Sequence, residues 1–179
     1  MEDSRYSLTV GLGVLAPIGR NLYSNISAVL SEMIANAWDA DATEVNVKID
    51  LMSEKIIIKD NGFGMSAEDI NNKYLHVGYQ KREAGIKTTP SGRHVMGRKG
   101  IGKVAVFSFA ESIEVISAHK ENKSGCIIKW QEIENAIQNN ISYNPTSISE
   151  NTIKIEKGTQ ISLGIRPERI DLFHEIESQ

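Results

Sequence analysis

Residues 31–49 read SEMIANAWDADATEVNVKI, and the fold is decided here because one periodicity replaces another within the stretch. Its first half completes a segment, residues 22–38, with apolar side chains at helical spacing: Leu22, Ile26, Val29, Leu30, Met33, Ile34, Ala37 and Trp38. Its second half, residues 44–50, alternates apolar and polar side chains as a strand does. The sequence therefore predicts a helix that ends near residues 39–42, followed by a strand.

The rest of the chain is organised mainly as predicted hairpins. The segments with strand character are residues 55–59, 112–118, 125–130, 152–156 and 159–165. Ser66 is a candidate N-cap with Asp69 three residues later, which predicts a short helix over residues 67–75. Residues 104–110 fit either a helix or a strand, and the polar residues 134–151 predict an irregular connection. Because hairpins dominate and βαβ alternation is missing, we expect an α+β fold with helices on one face of an antiparallel or mixed sheet.

Composition limits the class of protein. The chain has 179 residues, 40% hydrophobic and 24% charged, which fits one globular domain. The net charge of -3 gives no sign of general nucleic-acid affinity, and the single cysteine, Cys126, cannot form an internal disulfide. We find no membrane-spanning run and no secretory signal in the sequence. These features predict a cytoplasmic protein without a membrane partner.

A polar stripe interrupts the predicted first helix. Glu32, Asn36 and Asp39 stand at i, i+4 and i+7, and so fall within an arc of about 60°. Two interpretations remain open at this point: a row of polar groups at the solvent edge or satisfied by backbone, or a reactive site. A carboxylate can activate water, and an amide oxygen can bind a hard cation such as Mg²⁺.

Residues 78–100 form a long segment rich in glycine and basic side chains, which predicts either a solvated surface loop or a lid over an anion. It runs into GRKGIGK, residues 97–103, which is close to a Walker A phosphate loop. However, Val104 stands where that loop needs a hydroxyl to bind Mg²⁺, and no strand precedes it. A P-loop enzyme is therefore disfavoured. The DNGFGM stretch, residues 60–65, also lacks the third glycine of a dinucleotide-binding turn.

Taken together and in order, these motifs resemble a known family. Glu32, Asn36 and Asp39, then DNGFGM, a glycine-rich lid and a late Gly158-Thr159 are similar to the GHKL ATPases, the superfamily of gyrase B, heat-shock chaperones, histidine kinases and MutL. Residues 31–49 look most like the MutL, heat-shock chaperone and MORC branch. The resemblance covers about residues 20–165 and implies the Bergerat fold, a two-layer α/β sandwich with a mixed, mostly antiparallel sheet.

The resemblance also implies a role for each motif residue. Glu32 would be the general base that activates water, and Asn36 would bind Mg²⁺. Asp60 would accept a hydrogen bond from the adenine amino group, supported by Thr159. The remaining implied nucleotide contacts are Gly62, Gly64 and Met65 beside the base, and Gly97, Lys99, Gly100, Gly102 and Lys103 in the phosphate-binding edge of the lid. Asp39 is expected to hold local structure.

The implied function is Mg²⁺-dependent ATP binding with slow hydrolysis, in which lid closure over residues 78–102 drives dimerisation or motion of attached domains. A nucleotide-sensing module without significant hydrolysis and a phosphotransfer kinase are the alternatives. In the MutL and gyrase branches a lysine from a following domain completes the γ-phosphate site. We therefore expect residues 1–179 to be a single ATP-binding domain, the N-terminal module of a larger protein with a nucleic-acid or protein client and an ATP-dependent homodimer.

Overall fold

The first helix ends where the apolar periodicity ends. In the computed structural model, which describes residues 26–76, 87–97 and 105–169, helix α1 spans Ile26–Asp39 and strand β1 spans Val45–Asp50. Strand β2, Lys55–Asp60, pairs antiparallel with β1 across a four-residue turn. These elements confirm the helix and hairpin predicted from the sequence, except for residues 22–25, which lie outside the described residues.

Four further strands complete the sheet in the described part of the chain: β3, Ala110–His119; β4, Asn122–Lys129; β5, Thr146–Ser147; and β6, Gly158–Ile165. The strand order is β1-β2-β6-β3-β4-β5, and neighbouring strands are antiparallel. Strand β6 is last in sequence but lies between β2 and β3. This insertion places the start of β6 beside the end of β2, which is the geometry that builds the candidate site.

One face of the sheet and the helices share a single hydrophobic core. Helix α1 contributes Val29 and Met33, which pack with inward-facing residues of β2, β3, β4 and β6. The inward residues recur at every second position, as in Ile56 and Ile58, because alternate side chains of a strand face one side of the sheet. The predicted α+β architecture, with helices packed on one face of an antiparallel sheet, is confirmed.

Helix α3, Trp130–Gln138, was not expected from the sequence, which predicted strand to residue 130 and an irregular connection after residue 134. Trp130, Ile133 and Ala136 are buried at three-residue spacing, which is helical. Trp130 packs its ring against Phe107, with centroids 5.4 Å apart. The prediction was wrong because Trp130 was counted as the end of a strand rather than as the first anchor of a helix.

The predicted strand over residues 152–156 is also wrong. A short 3₁₀ turn, Glu150–Thr152, occupies its start, and the following residues pair with no strand of the described sheet. Ile153 and Ile155 are buried all the same, because they pack on Ala118 in a second, small cluster. The alternation of apolar side chains correctly indicated an extended segment with one buried side. This segment covers the outer face of the sheet rather than joining it.

The two remaining ambiguous segments are short. Ser66 caps helix α2, Ala67–Asp69, through a capping box with Asp69, and the chain continues as a π-helical turn, Ile70–Tyr74. This confirms the predicted short helix. Residues 106–108 form a 3₁₀ turn just before β3, so the region that fitted helix or strand contains both.

Candidate functional site

A partly buried carboxylate lies where β2 meets β6. Asp60 is the last residue of β2, and its Oδ1 accepts hydrogen bonds from the backbone N–H of Gly62, at 2.8 Å, and of Thr159, at 3.3 Å. Burial raises the pKa of Asp60 above its ordinary value, and the two hydrogen bonds only partly oppose that effect. The carboxylate is therefore desolvated and held by backbone on two sides, which suits it to accept a further hydrogen bond from a ligand.

A chain of hydroxyl groups begins next to Asp60. The Thr159 hydroxyl lies 2.9 Å from the hydroxyl of Ser117, its cross-strand partner on β3. The Ser117 hydroxyl in turn accepts a hydrogen bond of 2.7 Å from the backbone N–H of Met65 and lies 3.1 Å from the carbonyl oxygen of Gly158. Through these contacts the base-side residues predicted from sequence, Asp60, Met65 and Thr159, come together on one side of the sheet.

Ser117 was not predicted as a site residue, because no sequence motif includes it. A weak signal was present: Ile113, Val115 and Ser117 share one face of β3, and the first two belong to the apolar core. A hydroxyl that follows two core positions on the same face must have a polar partner when buried. Ser117 has no exposed surface and meets that requirement through Met65 and the β6 residues.

The loop after Asp60 is fixed by contacts that only glycine permits. Gly64 has a φ of 69°, and a β-carbon there would lie 2.1 Å from the carbonyl oxygen of Ala118. A β-carbon at Gly62 would lie 2.6 Å from the carbonyl oxygen of Ala40. The glycines at residues 62 and 64 therefore let this loop lie directly against β3 and against the segment that follows α1.

Side-chain and backbone hydrogen bonds hold the same loop on two sides. Asn61 accepts hydrogen bonds from the backbone N–H groups of Thr43 and Glu44, and Phe63 donates its N–H to the carbonyl oxygen of Ala40. His119 binds the carbonyl oxygen of Phe63 through Nδ1, at 2.7 Å, which requires that this nitrogen carry the proton. The loop is thus preorganised by the α1–β1 connection on one side and by β3 on the other.

The three residues of the polar stripe on α1 differ in their exposure to solvent. Asp39 is buried, Glu32 is half-buried and Asn36 is exposed. Asp39 accepts hydrogen bonds from the backbone N–H groups of Met96, at 2.7 Å, and Gly97, at 3.1 Å. This is the local structural role that the sequence favoured for Asp39. The stripe therefore combines one structural carboxylate with two more accessible polar side chains.

Residues 87–97 form a small hairpin docked on the end of α1, which the sequence did not predict. Thr88 bridges His94, and Thr89 exchanges backbone hydrogen bonds within the turn. The hairpin is attached to α1 and the residues after it through a set of contacts: Trp38 Nε1 to the His94 carbonyl oxygen at 3.0 Å, Arg93 to the Ala42 carbonyl oxygen at 2.7 Å, the Ser91 N–H to Asp41 at 3.0 Å, and the Arg93 guanidinium over the Trp38 ring at 4.7 Å. The part of the expected lid that the structure describes, residues 87–97, is thus held by these contacts against α1 and the residues after it.

The docked hairpin brings the start of the glycine-rich motif to α1. A β-carbon at Gly97 would lie 2.9 Å from Asp39 Oδ2 and 3.5 Å from the side-chain oxygen of Asn36. The predicted phosphate-side residue Gly97 and the predicted Mg²⁺ residue Asn36 are therefore neighbours. The other predicted lid residues, Lys99, Gly100, Gly102 and Lys103, lie outside the described residues.

Residues 26–76, 87–97 and 105–169 contain neither a cluster of metal-ligating side chains nor a membrane-spanning helix. No group of three or more His, Cys, Asp or Glu side chains converges there in a way that could hold a metal ion. No helix in the same ranges is long and apolar enough to cross a membrane. A metal at Asn36 would need oxygen ligands beyond this residue, which a bound polyphosphate can supply.

Comparison with known proteins gives a family match. Residues 23–160 match the model of the family described as "Histidine kinase-, DNA gyrase B-, and HSP90-like ATPase". The matched segment contains α1, the loop after Asp60, the docked hairpin and the start of β6. It therefore includes both groups of residues that the fold brings together.

The chain is also similar to individual proteins. The chain is 46% identical over 164 residues to a protein of Herpetosiphon aurantiacus named "Putative type II restriction enzyme HgiDII", covering 91% of this chain and 26% of that protein. It is 25% identical over 186 residues to the chaperone protein HtpG of Mycolicibacterium gilvum, covering 89% and 27%, and 25% identical over 179 residues to an endoplasmin homolog of Hordeum vulgare, covering 87% and 21%.

The chain spans about a quarter of the length of these curated relatives. The resemblance to the GHKL ATPases and the Bergerat fold that it implied are confirmed, whereas the finer likeness to the MutL and MORC branch stays a prediction. From its antiparallel sheet, its helical layer and the match over residues 23–160, the chain belongs to the histidine kinase-, DNA gyrase B- and HSP90-like ATPase family.

Proposed function

We propose that this chain binds ATP with Mg²⁺ and hydrolyses it slowly, with the adenine ring held against Asp60. Family membership supports ATP binding in general. The observation that supports this particular site is the desolvated Asp60 carboxylate, which the backbone N–H groups of Gly62, in the loop after β2, and of Thr159, in β6, orient. The adenine amino group donates to this carboxylate, whereas the O6 oxygen of guanine would face it as a second acceptor. The site therefore selects ATP over GTP.

The phosphate side of the proposed site is formed by α1 and the glycine-rich segment. Asn36 is exposed and its side-chain oxygen lies beside Gly97, so an oxygen ligand and a backbone turn face the same space. This arrangement fits an oxygen-liganded Mg²⁺ bound together with phosphate oxygens, which neutralises charge on the phosphates. Lys99, Gly100, Gly102 and Lys103 would contact the phosphates as the sequence implies.

Hydrolysis is assigned to Glu32, one helical turn before Asn36 on α1. A half-buried carboxylate near a bound γ-phosphate can orient water and accept its proton. The test is single-turnover hydrolysis in the full-length protein with Glu32→Ala and Glu32→Gln variants. We expect both variants to bind ATP as the wild type does and to lose turnover at least about 100-fold.

Unchanged turnover in both Glu32 variants would contradict the proposed base. Wild-type protein that binds ATP without turnover would favour the alternative, a nucleotide-sensing module. Transfer of the γ-phosphate to a protein side chain instead of water would favour a phosphotransfer kinase.

We further propose that the chain is one ATP-binding unit, with its core over about residues 20–165, of a larger protein in which lid closure drives dimerisation or domain motion. The relative of Herpetosiphon aurantiacus, 46% identical over 91% of this chain, carries the name "Putative type II restriction enzyme HgiDII", which supports a DNA-directed process for the larger protein. The test is binding of duplex DNA by the full-length protein with and without ATP. Equal DNA affinity in both states, or none, would contradict coupling to DNA.

A further inference from the structure

We propose that Ser117 is a positioning residue of the adenine site, which holds the Thr159 hydroxyl as a hydrogen-bond donor toward an unprotonated ring nitrogen of the base. The inference rests on the proposed function and deepens it. Asp60 reads the exocyclic amino group of the base, and the Ser117–Thr159 pair would read the neighbouring ring nitrogen, N1 of adenine. The two contacts together define a purine with an amino group beside an acceptor nitrogen.

The Met65 backbone N–H sets the direction of the first hydrogen bond in the series Met65–Ser117–Thr159. The Met65 backbone N–H lies 2.7 Å from Ser117 Oγ and can only donate, so it uses one lone pair of that oxygen. The single proton of Ser117 must then point to another acceptor. The two candidates are the Thr159 hydroxyl, at 2.9 Å, and the Gly158 carbonyl oxygen, at 3.1 Å.

The choice between these acceptors sets what Thr159 offers to a ligand. When Ser117 donates to Thr159 Oγ1, the Thr159 hydroxyl can donate its own hydrogen bond to the ligand, directly or through one water. When Ser117 donates to Gly158 instead, Thr159 donates back to Ser117 and presents only a lone pair. The contact to Thr159 is the shorter of the two, and a ring nitrogen without a proton requires a donor. A bound base with such a nitrogen therefore selects the state in which Ser117 donates to Thr159 and Thr159 donates to the ligand.

The position of Thr159 relative to Asp60 makes this direction relevant to the base. The Thr159 backbone N–H donates to Asp60 Oδ1, the carboxylate oxygen of the residue proposed to bind the adenine amino group. The Thr159 side chain contacts Ser117, so Thr159 connects the two residues. In adenine the amino group and N1 are adjacent, and they require an acceptor and a donor in that order. Hypoxanthine and guanine carry a proton on N1 and an oxygen in place of the amino group, so both requirements are reversed.

Ser117 is rigidly placed for this task. Its side chain has no exposed surface, and it lies directly opposite Thr159 in the β3–β6 register. Ser124 provides a matched control, because it is a buried serine directly opposite Ser117 on β4, and therefore one strand further from Thr159. Removal of the Ser124 hydroxyl deletes a similar group from the same sheet, and Ser124 makes none of the hydrogen bonds of the Met65–Ser117–Thr159 series.

The test uses two nucleotide analogues that separate the two contacts. In 1-deaza-ATP the N1 nitrogen is a C–H group and the amino group remains; in purine riboside triphosphate the amino group is missing and N1 remains. Affinities of ATP and both analogues are measured by calorimetry for the wild type, Ser117→Ala, Ser117→Thr and Ser124→Ala. We expect the wild type to prefer ATP over 1-deaza-ATP at least about 10-fold, as for a buried hydrogen bond.

In Ser117→Ala we expect that preference to fall to about 3-fold or less, while the preference over purine riboside triphosphate, which reports Asp60, stays within about 2-fold of the wild-type value. Ser117→Thr, which restores the hydroxyl, and Ser124→Ala should keep both preferences. A Ser117→Ala protein that loses affinity for all three nucleotides by the same factor would overturn the proposal and leave Ser117 a packing residue. Failure of the proposed function is distinct, since the wild type would then bind none of the three.

If Ser117→Ala does not fold, the comparison of Ser117→Thr with Ser117→Cys takes its place. Cysteine keeps the shape of serine but is a weak donor and acceptor. The proposal requires a reduced preference for ATP over 1-deaza-ATP in Ser117→Cys and a retained one in Ser117→Thr. Equal preferences in the two variants would overturn it.

Discussion

At the scale of the residue, the Asp60 carboxylate affects both stability and ligand binding, and the two have opposite requirements. Burial raises the pKa of Asp60, so the folded state destabilises the charged form that a base-reading acceptor needs. Because the folded pKa lies above the unfolded one, the stabilising contribution of this group is complete at low pH and is lost as pH rises through the folded pKa. At neutral pH the ionised Asp60 therefore costs stability.

We predict that Asp60→Asn separates these two effects. The amide oxygen can still accept from Gly62 and Thr159, but the amide N–H₂ would face the adenine amino group as a second donor. ATP affinity should fall at least about 30-fold, about 2 kcal/mol. In contrast, the free energy of unfolding at pH 7 should equal or exceed that of the wild type, and the difference should shrink as pH falls toward 3.8 and below. Urea unfolding from pH 3 to 8 measures this, and an Asn variant that is less stable at pH 7 would contradict it.

A second prediction concerns the close approach of the loop to β3. Gly64 and Gly92 both have positive φ values, 69° and 87°, but a β-carbon at Gly64 would lie 2.1 Å from the Ala118 carbonyl oxygen and one at Gly92 meets no atom within 4 Å. Gly92→Ala should therefore cost only the backbone strain, about 1–2 kcal/mol. Gly64→Ala should cost at least about 3 kcal/mol, because backbone must also move. Thermal unfolding of both variants measures the two losses of stability, and equal losses would contradict the predicted clash at Gly64.

Residue-level prediction from sequence depended on the family motifs. The motif residues Asp60, Gly64 and Thr159 were implied by the family resemblance, and the structure brings them together. Ser117 was missed because a strand serine carries no motif, and its partners become visible only when β6 lies between β2 and β3. A contact that depends on the insertion of a late strand between earlier ones cannot be read from local sequence.

At the scale of the element, helix α1 acts as a support as well as a source of polar side chains. Its buried Asp39 accepts two backbone N–H groups at the end of the docked hairpin, residues 87–97. Just beyond the helix, Asp41 accepts from Ser91, and hydrogen bonds from Ser91 hold the pKa of the Asp41 carboxyl below its ordinary value. This second contact is fully present at neutral pH and is lost as pH falls through the lowered pKa of Asp41. The hairpin is thus tied to α1 at its C-terminal end and to the residue Asp41, just after α1, at its turn.

We predict that Asp39→Ala releases the hairpin from α1. The backbone N–H groups of Met96 and Gly97 lose their acceptor, which should lower the free energy of unfolding by about 1–3 kcal/mol. Amide hydrogen exchange of residues 95–97 should become faster, and ATP affinity should fall because Gly97 is no longer held beside Asn36. Asp50→Ala, at the end of β1, is the control and should leave exchange in the hairpin unchanged. Unchanged exchange in Asp39→Ala would contradict the anchoring role.

Elements were predicted well where one periodicity dominated. Over the described residues, the first helix and the β1–β2 hairpin were correct to within about one residue, because their patterns are long and regular. The docked hairpin was missed because TTPSGRHV, residues 88–95, has the composition of an open loop, and its order comes from tertiary contacts with Trp38 and Asp41. Helix α3 was missed because its first buried anchor, Trp130, directly follows a strand.

At the scale of the whole molecule, the fold places two groups of residues on either side of one connection. Ala40, just after α1, accepts a hydrogen bond from Phe63 in the base-side loop, while Asn36, a turn earlier, lies beside Gly97 on the phosphate side. A nucleotide bound across this connection would touch both groups, so its binding on the base side would also affect the position of the glycine-rich segment. This provides a physical basis for the proposed lid closure.

We predict that the full-length protein dimerises when the lid closes over nucleotide. Sedimentation of the full-length protein with Mg²⁺ and a non-hydrolysable ATP analogue should show twice the mass found without nucleotide. Asp60→Asn protein should remain at the smaller mass at the same analogue concentration, because it does not bind. The same mass in all samples would contradict ATP-dependent dimerisation while leaving ATP binding untouched.

The central claim, that this chain binds ATP through Asp60, is tested most directly by calorimetric titration. We predict a saturable heat with a stoichiometry of one for ATP and Mg²⁺, a much weaker response to GTP, and loss of the ATP heat in Asp60→Asn. No heat for either ATP or ADP with correctly folded wild-type protein would contradict the claim, as would equal affinities of the wild type and Asp60→Asn for ATP.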